Sequence, residues 1–134
     1  MRHIFVNVAV KDLKASMTFF KALGFDFNMQ FTNDAAACLV IEENIKAMLI
    51  TEAYFKTFTP KPLCAAKQST EVLIALSCDS RAHVDTLTDK AVAAGGRVVR
   101  ETNDHGFMYD RAFEDLDGHI WELVYMDMQA LPQE

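Results

Sequence analysis

The residues best placed to do chemistry lie in Phe113-Glu114-Asp115-Leu116-Asp117-Gly118-His119-Ile120-Trp121-Glu122-Leu123. Asp117-Gly118 is a turn signal between two runs of alternating side chains, and Glu122 is a lone carboxylate in the second, otherwise apolar run. Burying that charge costs several kcal/mol unless a metal, a basic group or a proton compensates it. In an apolar setting Glu122 would favour its protonated form and could donate a proton, or accept one once a substrate arrives. His119 and Trp121 alternate away from it and belong to a packed or interface side.

Other groups could support such a site. His105, beside Gly106, falls in a loop that could reach a cleft mouth, although an exposed loop histidine fits the same pattern. Tyr109 and Arg111 lie on one strand, where a phenol or a guanidinium fork would suit an anionic ligand, and packing explains Tyr109 equally well. Asn7 is a polar group on an apolar strand and a candidate hydrogen-bonding partner for a ligand. His83 falls near a helix start and reads as a surface residue. The seven methionines read as core filler.

Periodicity says which elements would carry these groups. Residues 3–10 alternate Ile4, Val6, Val8 and Val10 against Phe5, Asn7 and Ala9, which is a strand with one strongly apolar face. Asp12 is a helix N-cap, Leu13, Met17, Phe20 and Leu23 form a helical stripe, and Gly24 ends it. Strands follow near 25–31, 35–41 and 46–52, separated by the polar clusters Thr32-Asn33-Asp34 and Glu42-Glu43-Asn44.

The same order then recurs at an offset of about 68 residues. A strand at 71–78 precedes a cap at Asp79 or Ser80. A helix follows with Val84, Leu87, Ala91 and Ala94 on one stripe, and Gly95-Gly96 stops it. Strands near 97–102, 107–115 and 119–126 complete the copy. The chain therefore reads as one α+β domain over 1–134: two βαβββ modules, at about 2–54 and 71–126, a linker at 55–70 holding Pro60 and Pro62, and a tail at 127–134. If each helix covers the strongly apolar face of its sheet, the other face collects Phe5, Asn7 and Ala9, then Ala47, Leu49 and Thr51, then Leu73, Ala75 and Ser77.

Composition narrows the function classes. With 134 residues and 51% hydrophobic residues, the chain can bury a full core. A net charge of −6 and the lack of a basic, aromatic-interleaved run argue against nucleic acid as a partner. No apolar run is long enough to span a membrane, and the strand-like start leaves no room for a signal peptide, so a cytoplasmic protein is expected. Cys38, Cys64 and Cys78 are odd in number and lack CxxC spacing, so they read as buried hydrophobes rather than a disulfide or zinc framework.

The paired modules, Val10-Lys11-Asp12-Leu13 with Ser16 and Phe19-Phe20, and the closing Glu114-Asp115-Leu116-Asp117-Gly118-His119-Ile120-Trp121-Glu122-Leu123 together resemble the vicinal oxygen chelate superfamily. It includes glyoxalase I, extradiol dioxygenases and the bleomycin and fosfomycin resistance proteins. Phe5-Val6-Asn7-Val8, His105-Gly106-Phe107-Met108-Tyr109 and Gly118-His119-Ile120-Trp121-Glu122 further resemble a bacterial subgroup known as predicted lactoylglutathione lyases. The resemblance implies two half-barrel modules forming a curved mixed sheet around one cleft, and in its metal-using members two ligands from each module. Carried onto this chain, those positions fall on Phe5, Leu49, Leu73 and Glu122.

Three of the four cannot ligate, and a one-residue slip on any of those strands restores neither histidine nor carboxylate. The resemblance thus implies the fold without a metal or other cofactor. The expected function is small-molecule binding in an apolar cleft, with Phe5, Asn7, Leu49, Leu73, Tyr109 and His105 as ligand-binding candidates and Glu122 as the catalytic candidate. The alternative is a glyoxalase I-like lactoylglutathione lyase or related isomerase, in which Glu122 moves a proton or survives as a remnant metal ligand. The resemblance also implies a homodimer, to which Phe55 and Phe58 could contribute exposed aromatic surface.

Overall fold

Local signals close the two long helices where the sequence places them. In the computed structural model, which describes residues 1–130, β1 (Ile4–Val10) runs into Asp12, whose carboxylate accepts the Ala15 N–H at 3.1 Å and caps α1 (Leu13–Ala22). Gly24 follows with φ +101°, the left-handed conformation that ends a helix with least strain on glycine. Ser80, rather than Asp79, caps α3 (Arg81–Ala93) by accepting the His83 N–H at 3.0 Å, and Gly95 ends it at φ +110°.

Contacts divide the chain into two compact units, Met1–Ser69 and Thr70–Glu134. In the first, β2 (Asp26–Asn28), β3 (Ala36–Glu42) and β4 (Ile45–Thr51) join β1 in a mixed sheet of order β1-β4-β3-β2. β1 and β4 are parallel, with Phe5 opposite Lys46, Asn7 opposite Met48 and Val8 opposite Leu49. Phe19, Phe20 and Leu23 of the α1 segment are buried together with Val8, Val10, Leu39, Ala47 and Leu49. The expected linker begins with structure of its own, a short α2 (Glu52–Phe55) continued by a 3-10 turn over Lys56–Phe58.

The second unit repeats the order. β5 (Leu73–Ser77) pairs in parallel with β9 (Ile120–Met126), which pairs with β8 (Met108–Glu114); β8 in turn carries the two-residue strands β6 (Arg97–Val98) and β7 (Asn103–Asp104). The buried Val84, Leu87 and Ala91 of α3 form its core with Phe113, Trp121 and Leu123. This settles the faces of β9: Trp121 and Leu123 take the core side, and Glu122 and Val124 the other side, in register with Ala75 and Ser77. The expected strand at 97–102 is reduced to β6, with β7 following outside that range, and Arg100 lies in the connection between them.

One expectation about faces is overturned. Residues level with each other in a parallel pair point to the same side, so the register of Val8 with Leu49 puts Leu49 on the α1 face, where it is fully buried. Ala47 and Thr51 go with it. The residues that share a face with Phe5, Asn7 and Ala9 are Lys46, Met48 and Ile50.

Candidate functional site

The N-terminal unit holds a hollow of about 620 Å³, lined by Asn7, Met48, Ile50 and Ala36 from three neighbouring strands, by Gln30, Phe31, Thr32 and Asn33, and by Tyr54 and Phe58. The sheet supplies its floor because Asn7 and Met48 stand side by side across β1 and β4, and Ala36 stands opposite Ile50 across β3 and β4. Of the expected site residues, Asn7 is the one that lines it.

The polar side of the hollow is partly spent on its own architecture. Asn28 caps the 3-10 turn over Met29–Phe31 by accepting the Gln30 N–H at 3.0 Å. Thr32 donates its hydroxyl to the Asn28 carbonyl at 2.8 Å and accepts the Cys38 N–H at 3.0 Å. Asn33 accepts the N–H groups of Ala35 and Ala36 through its side-chain oxygen, an Asx turn that fixes this edge. The Asn7 amide, the Gln30 side chain and the Tyr54 hydroxyl are not engaged in this framework and are the groups left for a ligand. Tyr54 meets Phe58 edge to face at 4.8 Å, and Phe31 and Phe58 are largely exposed. No lining residue carries a formal charge.

Glu122 lies in the C-terminal unit, and what faces it is Arg100. The Arg100 Nη2 donates to Glu122 Oε2 at 3.0 Å and to Asp110 Oδ1 at 2.5 Å, and Asn103 donates to the same Asp110 oxygen at 3.3 Å. The side chains are 31%, 25% and 10% exposed for Arg100, Glu122 and Asp110, so the pairs are shielded from solvent without being sealed. Burial works against the Arg100 cation, but the hydrogen bonds to Glu122 and Asp110 outweigh it and leave the guanidinium pKa raised. Glu122 is thus an ion-paired carboxylate rather than the isolated buried acid that its apolar neighbours suggest.

The remaining expected residues are not gathered around it. Tyr109 and Arg111 point toward α3: the Tyr109 hydroxyl donates to Asp85 at 2.7 Å, and Arg111 reaches Asp85 at 3.1 Å and Asp89 at 3.4 Å. The alternation of β8 sends them opposite to Asp110 and Ala112, which are level with Val124 and Glu122. Burial and the bond to Asp85 both raise the Tyr109 pKa, the bond being the larger cause.

His105 is an exposed residue of the β7–β8 hairpin, where its backbone N–H donates to the Met108 carbonyl at 2.8 Å. Phe5 and Leu73 do lie opposite the helix-covered faces of their own sheets, 54% and 55% exposed, and Phe5 stacks near His3. Leu49 is a core residue.

The metal ligand positions implied by the resemblance do not fit a metal. Phe5, Leu49 and Leu73 offer no donor, the cross-strand neighbours of Glu122 are Ala75 and Ala112, and its carboxylate is engaged by Arg100. Among the described residues no group of three or more His, Cys, Asp and Glu is arranged to hold a metal ion.

Sequence reasoning missed most of the hollow. Phe31 sits directly before the turn cluster Thr32-Asn33-Asp34, and Tyr54 and Phe58 follow the last strand of the module; that placement of aromatics beside breaks in periodicity was the available signal. Arg100 left no such signal, since only pairing of β8 with β6, β7 and β9 brings it to Glu122.

Comparison with known proteins agrees with this architecture. A hypothetical protein from S. aureus is 31% identical over 93% of this chain and 94% of its own, with a TM-score of 0.79. A glyoxalase-related enzyme from Fulvimarina pelagi is 19% identical over 93% of this chain and 88% of its own (TM-score 0.78). A genomically encoded fosfomycin resistance protein from Listeria monocytogenes is 17% identical over 96% and 94% (TM-score 0.68). At these identities the last two show a shared fold alone. No functionally curated protein matches the sequence significantly. The family model for the Glyoxalase/Bleomycin resistance protein/Dioxygenase superfamily matches residues 2–123, and the chain belongs to that superfamily.

Proposed function

We propose that this protein binds a small uncharged molecule with an aromatic or otherwise flat apolar portion, without a metal, in the hollow of its N-terminal unit. The observation that carries the reading is the lining: aromatic and aliphatic side chains with amide and hydroxyl groups, and no formal charge, around about 620 Å³. That volume lies within the range of small-molecule sites, and apolar walls with a few orienting polar groups are their usual composition. A charged ligand group buried here would lose its hydration without gaining a partner. Phe31, Tyr54 and Phe58 supply apolar contact, and Asn7 offers both a donor and an acceptor.

The alternative reading, proton transfer by Glu122 in a lyase or isomerase, is less well supported. Glu122 shares Arg100 with Asp110, so its carboxylate is already engaged by a guanidinium.

Titration with the neutral fluorophore N-phenyl-1-naphthylamine and with its anionic relative anilinonaphthalene sulfonate tests the reading. Saturable enhancement with the neutral probe, reduced in Phe58→Ala, is expected. Preference for the anionic probe, or neutral binding unaffected by Phe58→Ala, would count against it.

Self-association belongs to the same reading. β1 and β5 are edge strands of their sheets, and each presents an exposed apolar residue, Phe5 and Leu73. Exposed apolar edges of this kind favour pairing with another chain. Light scattering at micromolar concentration should return the mass of a homodimer, and the mass of one chain would refute that part.

A further inference from the structure

Two neighbouring residues that line the hollow, Thr32 and Asn33, are only half spent on its framework, and each keeps a hydrogen-bonding capacity of one fixed kind. Thr32 gives its hydroxyl hydrogen to the Asn28 carbonyl at 2.8 Å and takes the Cys38 N–H at 3.0 Å. What remains on that oxygen is a lone pair, so toward a ligand Thr32 can only accept. Asn33 takes the N–H groups of Ala35 and Ala36 on its side-chain oxygen, at 2.8 and 3.0 Å. A backbone N–H bonds to the oxygen of a carboxamide and not to its NH₂, so these two bonds settle which end of Asn33 is which. The NH₂ is the end they leave over, and it can only donate. The backbone N–H groups of both residues are spent as well, on the carbonyls of Met29 at 3.4 Å and Ala36 at 2.8 Å.

We infer that the hollow selects a lactam, a flat aromatic ring compound that carries a neutral carbonyl next to an N–H. The inference rests on the reading of the hollow as a site for small uncharged molecules and names their chemical class. A fixed acceptor beside a fixed donor is complemented by a ligand edge of the opposite pattern, with the N–H given to Thr32 and the carbonyl oxygen receiving the Asn33 NH₂. Phe31, Tyr54 and Phe58 supply the apolar contact that the faces of such a ring need. The Asn7 and Gln30 carboxamides are not oriented by bonds of this kind, and each can turn to donate or to accept, so they tolerate varied substituents. Selection falls to the two residues whose roles cannot reverse. An analogue without the N–H covers the Thr32 lone pair with carbon, and one without the carbonyl does the same to the Asn33 NH₂. Either group then loses its water and gains no partner, which is why a missing hydrogen-bonding group is rejected more strongly than a missing methylene.

Equilibrium dialysis of the full-length chain at pH 8 against 2-quinolinone, N-methyl-2-quinolinone and quinoline tests this. All three are flat, uncharged and similar in size. The wild type should bind 2-quinolinone about tenfold more tightly than either of the others. Asn33→Asp keeps a side-chain oxygen for the turn and removes the NH₂ donor, so it should abolish or reverse the preference for 2-quinolinone over quinoline. The ratio of the two ligands is the readout, because the cost of covering the new carboxylate falls on both.

Equal binding of the three compounds by the wild type would overturn the inference, as would a preference for 2-quinolinone that survives in a folded Asn33→Asp protein. If Asn33→Asp loses its cooperative melting transition, the wild-type ratios decide alone. N-phenyl-1-naphthylamine separates this inference from the reading beneath it. Phe58-dependent uptake of that probe with no preference for 2-quinolinone refutes the lactam and leaves the uncharged ligand standing, whereas failure to bind the probe or any of the three compounds refutes both.

Discussion

Trp121 donates its indole N–H to Asp115 at 3.0 Å, across the Asp117-Gly118 turn that joins β8 to β9. The same carboxylate accepts the backbone N–H groups of Asp117 at 2.9 Å and His119 at 3.0 Å, so one side chain closes the turn and anchors the largest core residue. Asp115→Ala should therefore destabilise the protein by about 3 kcal/mol, since it removes the carboxylate acceptor of a buried indole N–H and of two backbone donors. Urea unfolding followed by tryptophan fluorescence measures it directly, Trp121 being the only tryptophan. A loss below about 1 kcal/mol would mean that the turn holds without its carboxylate.

Two carboxylates should bend the acid stability curve in opposite directions. The Arg81 fork beside Asp104, with the Gly106 N–H, holds that carboxyl at about 2 against an ordinary 3.8. A depressed folded-state pKa contributes stability that is present above the unfolded value and is lost as pH falls through the folded one, here from about 3.8 toward 2. Burial raises the Asp115 pKa against the pull of His119 and its hydrogen-bond donors. Its contribution is complete below 3.8 and is lost as pH rises through its folded-state value. Thermal melting from pH 5 to 2 should show a flatter acid decline in Asp104→Asn and a steeper one in Asp115→Asn than in the wild type.

Residue periodicity identified the two long helices and the long strands but not the short α2 or the broken strand after Gly96, and pairing decided where side chains point. The helix stripes, the Asp12 cap and the terminating glycines were legible because they depend on neighbours three or four residues away. The side taken by Leu49 was not, because alternation gives two equivalent faces and only the parallel register with Val8 selects one. Tyr109 shows the same limit: a phenol on a strand reads as a ligand group until the position of Asp85 on α3 is known. Glu122 was found from its type and setting, but its partner was not, since Arg100 is 22 residues away in a short connection of no regular period.

Gly24 and Gly95 provide a controlled pair for backbone strain. Both end helices at similar positive φ, +101° and +110°. A Cβ on Gly24 would meet nothing within 4 Å, so Gly24→Ala should cost about 1–2 kcal/mol from conformation alone. At Gly95 the Cβ would come within 3.1 Å of the Leu116 side chain, so Gly95→Ala should cost more unless Leu116 changes rotamer. Chemical denaturation of the two variants and of Gly95→Ala with Leu116→Ala separates the terms. Equal losses for the two single variants would show that Leu116 yields without cost.

The uncharged lining of the hollow is most directly tested at Asn7, which stands on its floor beside Met48. Asn7→Asp is nearly isosteric and adds one negative charge to a site with no charged lining residue. For the neutral naphthylamine probe it should weaken binding by about tenfold, because the carboxylate must lose part of its hydration when the probe covers it. Asn7→Leu keeps the volume and removes the amide, and should preserve or strengthen binding of a probe that makes no bond to Asn7. The order Leu at least as tight as wild type, and wild type tighter than Asp, follows from desolvation alone. Equal affinities in the three proteins would show that the probe binds elsewhere, and a reversed order would overturn the desolvation reading.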